Sequence, residues 1–392
     1  MGVIYNISLY VYLFIIYIFS LFNKKAKQWL LGRKELLKKM KKEIGNEKNI
    51  VWFHAASLGE FEQGRPVINN YKSKYPDHKI LLTFYSPSGY NIRKNYSGVD
   101  WVYYLPIDTK YNAKEFIKIV KPIKAVFIKY EFWFNYMNEI KLKKIPLYFI
   151  SCIFRKNQYF FKYKWFGKQL QCVSHFFVQD ETSKSLLLTL GLENVTVSGD
   201  TRFDQVKSNT KNCPRFPVLD KLPKKKTIVF GSTWKEDENI ILSYIKKNKQ
   251  YNYIIAPHEI DNCNKLTQKT NGILLSNANE KNINNVLIVD SVGNLPYIYK
   301  YADISYIGGG FGSGIHNVLE PIVFGSQVLF GPNFLNSIEA RELISISLAK
   351  SILNEEGLSK GIDFFTKNDR KKECTEYIKK RLGATKLICE HI

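Results

Sequence analysis

The sequence has few of the residues that build metal centres or disulfide scaffolds. Its 392 residues include six cysteines, which form no CxxC pair and no other metal-ligand spacing. Scattered thiols in a chain of this length are typical of a reducing compartment. There is no DxD triplet, no histidine cluster and no GxxxxGK[ST] phosphate loop. We therefore expect no metal and no cofactor, and the sequence argues against a P-loop ATPase.

Acidic residues are also scarce, with 35 Asp and Glu against 58 Lys and Arg, which gives a net charge of +23. A charge of this size attracts polyanions such as nucleic acid, anionic lipid or phosphorylated substrates. Hydrophobic residues make up 45% of the chain, enough for a packed core. The length allows two domains of ordinary size.

Charged residues are absent from positions 3–22, an apolar stretch about as long as a membrane span. Basic residues follow at 24, 25, 27, 33, 34, 38, 39, 41 and 42, which predicts a cytoplasmic flank. We expect a membrane anchor over 1–23 and a basic juxtamembrane helix over 24–49, able to bind anionic headgroups. A cleaved signal peptide is the weaker interpretation, because no small-residue cleavage site follows. The many tyrosines leave an interfacial helix open.

Beyond the anchor, short apolar runs alternate with helical patterns, which predicts parallel sheets covered on both faces. The first domain is predicted over 50–206, the linker over 207–226 and the second domain over 227–392. Strands are predicted in the first domain at 50–54, 79–84, 101–105, 125–129, 147–150, 175–178 and 195–198. In the second domain they are predicted at 227–230, 253–256, 286–289 and 304–307.

Three charged side chains of the first domain fall at predicted strand ends. Glu60 follows the first strand in a strand, small-residue loop and helix pattern, HAASLGE. Near the helix amino end its carboxylate is expected to stay ionised, as a general base or only as a first-turn helix charge. Glu131 lies among aromatic residues in KYEFWFN and needs a partner, which Arg202 of SGDTRFD or a neighbouring lysine could supply.

The second domain carries the most distinctive stretch, GGGFGSGIHNVLEP, at 308–321. Glycines let backbone N–H groups approach a phosphate, and a helix beginning near His316 would direct its positive end at the anion. Glu320, one turn into that helix, could accept hydrogen bonds from a ribose or a base edge. The pattern predicts a nucleotide-sugar site.

A basic and aromatic segment, RKNQYFFKYKWFGK at 155–168, is compatible with three roles. It could lie at a lipid interface, stack nucleic-acid bases, or form an amphipathic helix packed on the sheet. We favour the lipid interpretation over the nucleic-acid one because of the predicted anchor.

The motifs WFHAASLGE, TFYSPSG, YEFWFN, SGDTRFD, GSTW, IIAPHE and GGGFGSGIHNVLEP, in this order, closely resemble those of the 3-deoxy-D-manno-octulosonic acid (Kdo) transferases of lipopolysaccharide assembly. The resemblance covers about residues 50–335. It implies a GT-B architecture, with two Rossmann-like domains facing a central cleft. It also implies a single amino-terminal anchor in the inner membrane, with the catalytic domains on the cytoplasmic side.

The family's reaction would be an inverting transfer of Kdo from CMP-Kdo to the 6′-hydroxyl of a lipid A precursor. The resemblance makes Glu60 the proton acceptor, with Glu131 and Arg202 stabilising the transition state. The CMP contacts it implies are Pro257, His258, Val292, Gly293, Asn294, Asn317, Val318, Leu319 and Glu320. The implied partners are CMP-Kdo, the lipid acceptor and an anionic phospholipid surface, with no nucleic acid.

Three departures from the family pattern concern the donor site. Pro-His-Glu at 257–259 replaces Pro-Arg-His, Trp234 replaces the histidine of GSTH, and Gly314-Ile315 replaces a double glycine. These affect the details of CMP binding more than the reaction. Two alternatives are a GT-B transferase that uses a UDP-sugar on a lipid acceptor, and a membrane-tethered nucleic-acid-binding protein.

Overall fold

Two parallel seven-stranded β-sheets organise the chain in a computed structural model that describes residues 2–211 and 213–392. The chain divides into a first unit, Met1–Gln205 with Leu382–Ile392, and a second unit, Val206–Arg381. The predicted α/β class with parallel sheets is therefore confirmed.

The first sheet has the strand order β3-β2-β1-β4-β5-β6-β7. Its strands are β1 (Ile50–Ala55), β2 (Lys79–Phe84), β3 (Trp101–Tyr104), β4 (Lys124–Ile128), β5 (Leu147–Cys152), β6 (His175–Val178) and β7 (Val195–Val197). The helices are α1 (Gly2–Ser20), α2 (Lys24–Leu31), α3 (Leu36–Ile44), α4 (Leu58–Lys74), α5 (Pro87–Arg93), α6 (Lys110–Val120), α7 (Phe134–Leu142), α8 (Tyr159–Lys162), α9 (Lys164–Gln169), α10 (Glu181–Leu188) and α11 (Thr201–Lys211). All seven predicted strands are present, within two residues at each end.

The second sheet has the order β10-β11-β9-β8-β12-β13-β14. Its strands are β8 (Thr227–Thr233), β9 (Asn252–Pro257), β10 (Ile273–Leu274), β11 (Val286–Ile288), β12 (Ile304–Ile307), β13 (Gln327–Phe330) and β14 (Ala349–Ser351). The helices are α12 (Lys235–Lys247), α13 (Cys263–Thr270), α14 (Leu295–Ile298), α15 (Leu319–Ile322), α16 (Ile338–Ser345), α17 (Glu355–Lys367) and α18 (Lys371–Lys379), and α19 (Ala384–His391) follows in the first unit. The prediction missed β10, β13 and β14.

In each sheet the order in which successive strands are added reverses at the first strand in sequence, β1 or β8. β1 pairs with β2 on one side and β4 on the other, and β8 pairs likewise with β9 and β12. At such a switch point the loops that leave the two neighbouring strands diverge and open a crevice at the carboxyl edge, where α/β proteins bind ligands. The loops after β1 and β4, and those after β8 and β12, are therefore the places to look for function.

The predicted juxtamembrane helix is two helices, α2 and α3, rather than one. Their apolar residues Trp29, Leu36, Met40 and Ile44 are buried in the first unit. The basic 24–49 segment therefore also packs into this unit, because an apolar residue recurs every third or fourth position and faces the core.

The end of the chain also corrects a predicted boundary. Residues 382–392, assigned above to the second domain, belong to the first unit. Ile388 and Cys389 join Val67 in a buried cluster, and the carboxylate of Asp204 accepts the backbone N–H groups of Gly383 and Thr385. The predicted linker differs as well, since residues 207–211 continue α11.

α1 meets the test for a membrane span by length and composition, although a signal sequence or a core helix can pass the same test. None of its residues is buried, so it is not a core helix. Its Tyr5 and Tyr12 pack on the rest of the first unit, with ring contacts to Phe134 and Trp29. The rest of its apolar side chains are largely exposed.

Asp108 joins α1 to α7. Its carboxylate accepts the hydroxyl of Tyr5 and the backbone N–H groups of Asn135 and Tyr136, at 2.5, 3.1 and 2.9 Å. The N-cap residue of α7, Trp133, supplies no side-chain cap of its own. Asp108 therefore satisfies two of the unpaired N–H groups that begin this helix.

Candidate active site

Glu60 lies in the first turn of α4, directly after β1. Its Oε2 accepts the backbone N–H groups of Ala56 and Ser57 at 2.6 and 3.3 Å, while the Ser57 hydroxyl caps the N–H of Glu60. This reciprocal arrangement is a capping box. Because the loop between strand and helix is only two residues long, the carboxylate is held at the carboxyl edge of the sheet.

The expected charge state of Glu60 needs correction. Burial raises the pKa of Glu60 to about 7, with a further rise from the charge of Glu131, while the bond from Ala56 and the charge of Lys129 act in the opposite direction. The helix end therefore does not keep the carboxylate fully ionised at neutral pH, because desolvation outweighs the N–H groups. A group with such a pKa can accept and release a proton near pH 7.

Glu131 follows β4, the neighbour of β1, and is buried. Its Oε2 lies 3.0 Å from Nε2 of His54 and 2.7 Å from the indole Nε1 of Trp133. The prediction named Arg202 or a neighbouring lysine as its partner and did not include these two donors, His54 and Trp133. A buried carboxylate needs donors within reach, and His54 in β1 and Trp133 in the loop after β4 provide them.

Arg202 lies at the start of α11, after the edge strand β7. Its guanidinium pairs with Asp200, with Nη2 2.6 Å from Oδ2. The hydroxyl of the adjacent Thr201 donates to the backbone carbonyl of Gln63 at 2.5 Å, which holds this end of α11 against α4. Glu60 and Glu131 are thus brought together directly, and Arg202 is placed one residue from a contact with the helix that carries Glu60.

The glycine-rich stretch of the second unit follows β12 at the switch point. A Cβ at Gly308 would lie 2.1 Å from the carbonyl oxygen of Ser232, so only glycine lets this loop pass the end of β8. Asp237, which is buried, accepts the backbone N–H of Gly309 at 2.9 Å and the hydroxyl of Tyr306 at 2.7 Å. A side chain of α12 therefore fixes the start of this loop through hydrogen bonds.

The helix expected near His316 begins later, at Leu319, and has four residues. Residues 315–318 are irregular, so the positive helix end does not lie at His316. Glu320 consequently lies in the first turn, where Nδ2 of Asn317 is 3.3 Å from its Oε1. Val318 and Leu319 are buried, so only their backbone can face a ligand.

An aromatic stack lies beside this loop. The indole of Trp234 is stacked on the ring of His258, with centroids 4.1 Å apart, and its Nε1 donates to Nε2 of His316 at 3.1 Å. Burial, followed by the nearby His258, lowers the pKa of His316, which favours a neutral ring. The residue that departs from the family pattern thus connects two histidines.

The other predicted CMP contacts flank β9 and β11. Pro257 ends β9 and is partly exposed. Val292 is 85% exposed, and Gly293 has a positive φ of 88° in the loop before α14. The side chain of Asn294 donates to Ser291 at 2.7 Å. These residues share the carboxyl edge of the second sheet, because they all follow parallel strands.

Sequence reasoning missed several residues of both sites. Among them are His54, Trp133 and Lys129 in the first unit and His316 and Asp237 in the second. For His54, Lys129 and Trp133 the available signal was a position at the end of a predicted strand or shortly after it, whereas Asp237 and His316 lie further along the chain from the strands that precede them.

Comparison with known proteins shows which family the chain resembles. Residues 31–205 match the family model described as 3-Deoxy-D-manno-octulosonic-acid transferase (kdotransferase). The 3-deoxy-D-manno-octulosonic acid transferase of Rickettsia felis is 27% identical over 351 residues, which cover 84% of this chain and 73% of the relative. The enzyme of that name from Aquifex aeolicus is 28% identical over 307 residues, covering 76% and 81%.

Solved structures support the fold. A UDP-GlcNAc 2-epimerase from Neisseria meningitidis matches with a TM-score of 0.59 at 16% identity, over 87% of this chain and 98% of that one. The MurG protein of Acinetobacter baumannii matches with a TM-score of 0.53 at 13% identity, over 88% and 98%. The two parallel sheets are thus of the GT-B type, and over most of its length the chain is similar to proteins named 3-deoxy-D-manno-octulosonic acid transferase.

Proposed function

We propose that the protein is an inverting transferase that moves Kdo from CMP-Kdo to the 6′-hydroxyl of a lipid A precursor. The observation that carries this proposal is the placement of Glu60 and Glu131 on neighbouring strand ends, with the pKa of Glu60 raised to about 7. A sugar hydroxyl is a poor nucleophile, and a positioned base with a pKa near the working pH contributes about 10²–10⁴-fold to its reaction.

In this mechanism Glu60 accepts the proton of the acceptor hydroxyl as its oxygen forms a bond to the anomeric carbon of Kdo. The bond from that carbon to the phosphate oxygen breaks, and CMP leaves with the electron pair. Glu131 and Arg202 stabilise the transition state. Since the sugar is attacked from the face opposite the leaving group, the anomeric configuration inverts.

CMP would bind at the carboxyl edge of the second sheet. The phosphate would meet the ring of His258 and backbone N–H groups at 310, 311 and 313 of the glycine-rich loop, because those at 308, 309, 312 and 314 already donate within the unit. The nucleoside would meet residues 292–294 and 317–320. Fixed N–H dipoles can stabilise a departing phosphate without a metal ion. The buried side chains of Val318 and Leu319 restrict their part to the backbone.

The acceptor would be reached at a membrane surface. α1 exposes apolar side chains such as Ile7, Phe14 and Phe19, and the chain carries a net charge of +23. An apolar helix in a chain with a large positive net charge favours an anionic bilayer. We propose that the protein is held at the inner membrane by this helix, with both units on the cytoplasmic side.

The test is to incubate purified protein with CMP-Kdo and a lipid A precursor and to read the product by mass. We expect addition of Kdo with wild type and a loss of at least 10²-fold in kcat for Glu60→Gln. Glu62→Gln is the matched control, because Glu62 lies on the same helix and pairs with Arg65 and Arg93. A product formed from a UDP-sugar and not from CMP-Kdo, or full activity of Glu60→Gln, would overturn the proposal.

A further inference from the structure

A chain of buried hydrogen bonds lies behind Glu131. Nε1 of Trp52 is 2.7 Å from the hydroxyl of Thr83, and this hydroxyl is 2.8 Å from Nδ1 of His54. Nε2 of His54 is in turn 3.0 Å from Oε2 of Glu131. Trp52, Thr83 and His54 are each 0% exposed, so water does not compete for these bonds.

The chain has one direction. An indole N–H can only donate, so Trp52 occupies a lone pair of Thr83 Oγ1 and leaves the hydroxyl proton for another acceptor. The two acceptors within reach are Nδ1 of His54 at 2.8 Å and the carbonyl of Phe53 at 3.4 Å. The shorter bond goes to the histidine. Two groups of Thr83 compete for Nδ1, the hydroxyl at 2.8 Å and the carbonyl at 3.1 Å. With the shorter bond formed, Nδ1 accepts, and the proton of a neutral imidazole lies on Nε2, directed at the carboxylate.

The strand register explains why these residues meet. His54 of β1 is paired with Thr83 of β2 and with Phe127 of β4, so its ring lies between the two neighbouring strands at their carboxyl ends. Glu131 follows β4 after a short loop. The relation is therefore built into the sheet and does not depend on a flexible segment.

We propose that His54 is a positioning residue for Glu131, with its tautomer fixed by Thr83. This inference rests on the proposed function, in which Glu131 acts on the transition state. Both His54 and Trp133 donate to Oε2, at 3.0 and 2.7 Å. Two fixed donors on one oxygen set the plane of the carboxylate and leave Oε1 to face the substrate.

Replacing Thr83 would change the tautomer. In Thr83→Val, among the described residues, Nδ1 keeps the carbonyl of residue 83 at 3.1 Å, which accepts and cannot donate. The proton would move to Nδ1, and Nε2 would present a lone pair to the carboxylate. Oε2 would then lose the donor from His54, and Trp133 would be shared between the two groups, since its Nε1 is also 2.9 Å from Nε2.

The first measurement is kinetic. We expect Thr83→Val to lower kcat for Kdo transfer at least tenfold and to leave KM for CMP-Kdo and for the acceptor within twofold. Thr83→Ser keeps the hydroxyl and should restore kcat to within threefold. The matched control is Thr196→Val, which removes the hydroxyl 2.8 Å from Nε2 of His175 in the same unit and should leave kcat unchanged.

The second measurement does not need activity. The ¹⁵N chemical shifts of His54 in the full-length protein distinguish a proton on Nε2 from one on Nδ1. We expect the Nε2 form in wild type and the Nδ1 form in Thr83→Val. An Nδ1 form in wild type, or full kcat in a folded Thr83→Val protein, would overturn the inference. If wild type transferred no Kdo, the proposed function would fail while the shifts still tested the histidine.

Discussion

The carboxylate of Glu131 raises the pKa of Glu60, and only the burial of Glu60 has a larger effect in that direction. The two residues reach each other because they follow β1 and β4, which are adjacent in the sheet although 71 positions separate the residues in sequence. Two carboxylates with different partners can take different roles. Glu131 has two donors from side chains, whereas Glu60 has two backbone N–H groups and a pKa of about 7.

The first prediction concerns the pH dependence of transfer. A base must be deprotonated to act, so kcat/KM is expected to rise with pH and to level off above about 7, the pKa of Glu60. In Glu131→Gln the rate should be lower, and the midpoint of the rise should move to lower pH, because a negative neighbour has been removed. A midpoint near 4.5, or one that moves upward in this variant, would contradict the role of Glu60.

The second prediction concerns stability. The pKa of Glu60 is higher in the folded protein than its ordinary 4.5, so ionising it costs folding free energy as pH rises through the interval from about 4.5 to 7. Glu60→Gln should therefore become more stable relative to wild type by about 1 kcal/mol between pH 5 and pH 8, allowing for partial exposure. Urea unfolding at both pH values measures this. If Glu60→Gln instead became less stable relative to wild type as pH rises, the ionised carboxylate of Glu60 would stabilise the fold.

The third prediction concerns Asp108. Asp108→Ala removes the group that accepts from Tyr5, Asn135 and Tyr136, and we expect a loss of about 2–4 kcal/mol in the free energy of unfolding. Tyr5→Phe removes only one of these bonds and leaves the cap of α7 intact, so about 1 kcal/mol is expected. Equal losses in the two variants would mean that Asp108 serves mainly to hold α1.

The fourth prediction concerns the donor site. Trp234 is stacked on His258, a predicted CMP contact, so CMP binding should change the fluorescence of the protein. We expect the change to disappear in Trp234→Phe. His316 would also lose the indole donor 3.1 Å away, which should weaken CMP binding roughly three- to tenfold, about 1 kcal/mol. The matched control is Trp101→Phe, in β3 of the first unit. A signal that persists in Trp234→Phe would place CMP elsewhere.

The sequence predicted the main strands because buried parallel strands are continuous apolar runs, such as IVWF before His54. It missed β14, Ala349–Ser351, since three residues with a lysine in the middle carry no such signal. It placed the helix after His316 three residues too early, because a pattern of apolar positions does not show where regular backbone begins.

Partners across strands could not be predicted at all. His54 meets Thr83 through strand register, and Glu131 meets His54 through the order of strands in the sheet. Neither relation can be inferred from a local sequence pattern. The sequence suggested a cation beside Glu131 but did not show that Arg202 pairs with Asp200, two residues away. The return of 382–392 to the first unit is a further long-range contact of this kind.

The last prediction concerns α1, which exposes many apolar side chains. Ile7 and Phe14 are 58% and 65% exposed, and if they lie in a bilayer, lysine at both positions should weaken partition into vesicles at least tenfold, about 1.4 kcal/mol. Co-sedimentation with neutral phosphatidylcholine vesicles in high salt measures this apolar part, because salt screens the attraction due to the net charge.

The control carries the same added charge on other exposed apolar side chains. Leu335→Lys with Leu353→Lys alters residues of the second unit that are 71% and 73% exposed, and it should leave partition unchanged. A loss in both double variants would reflect charge or general surface apolarity. A loss in neither would mean that α1 does not enter the lipid. Binding to a membrane that holds a lipid acceptor would then have to depend on the positive net charge alone and would weaken steeply with salt.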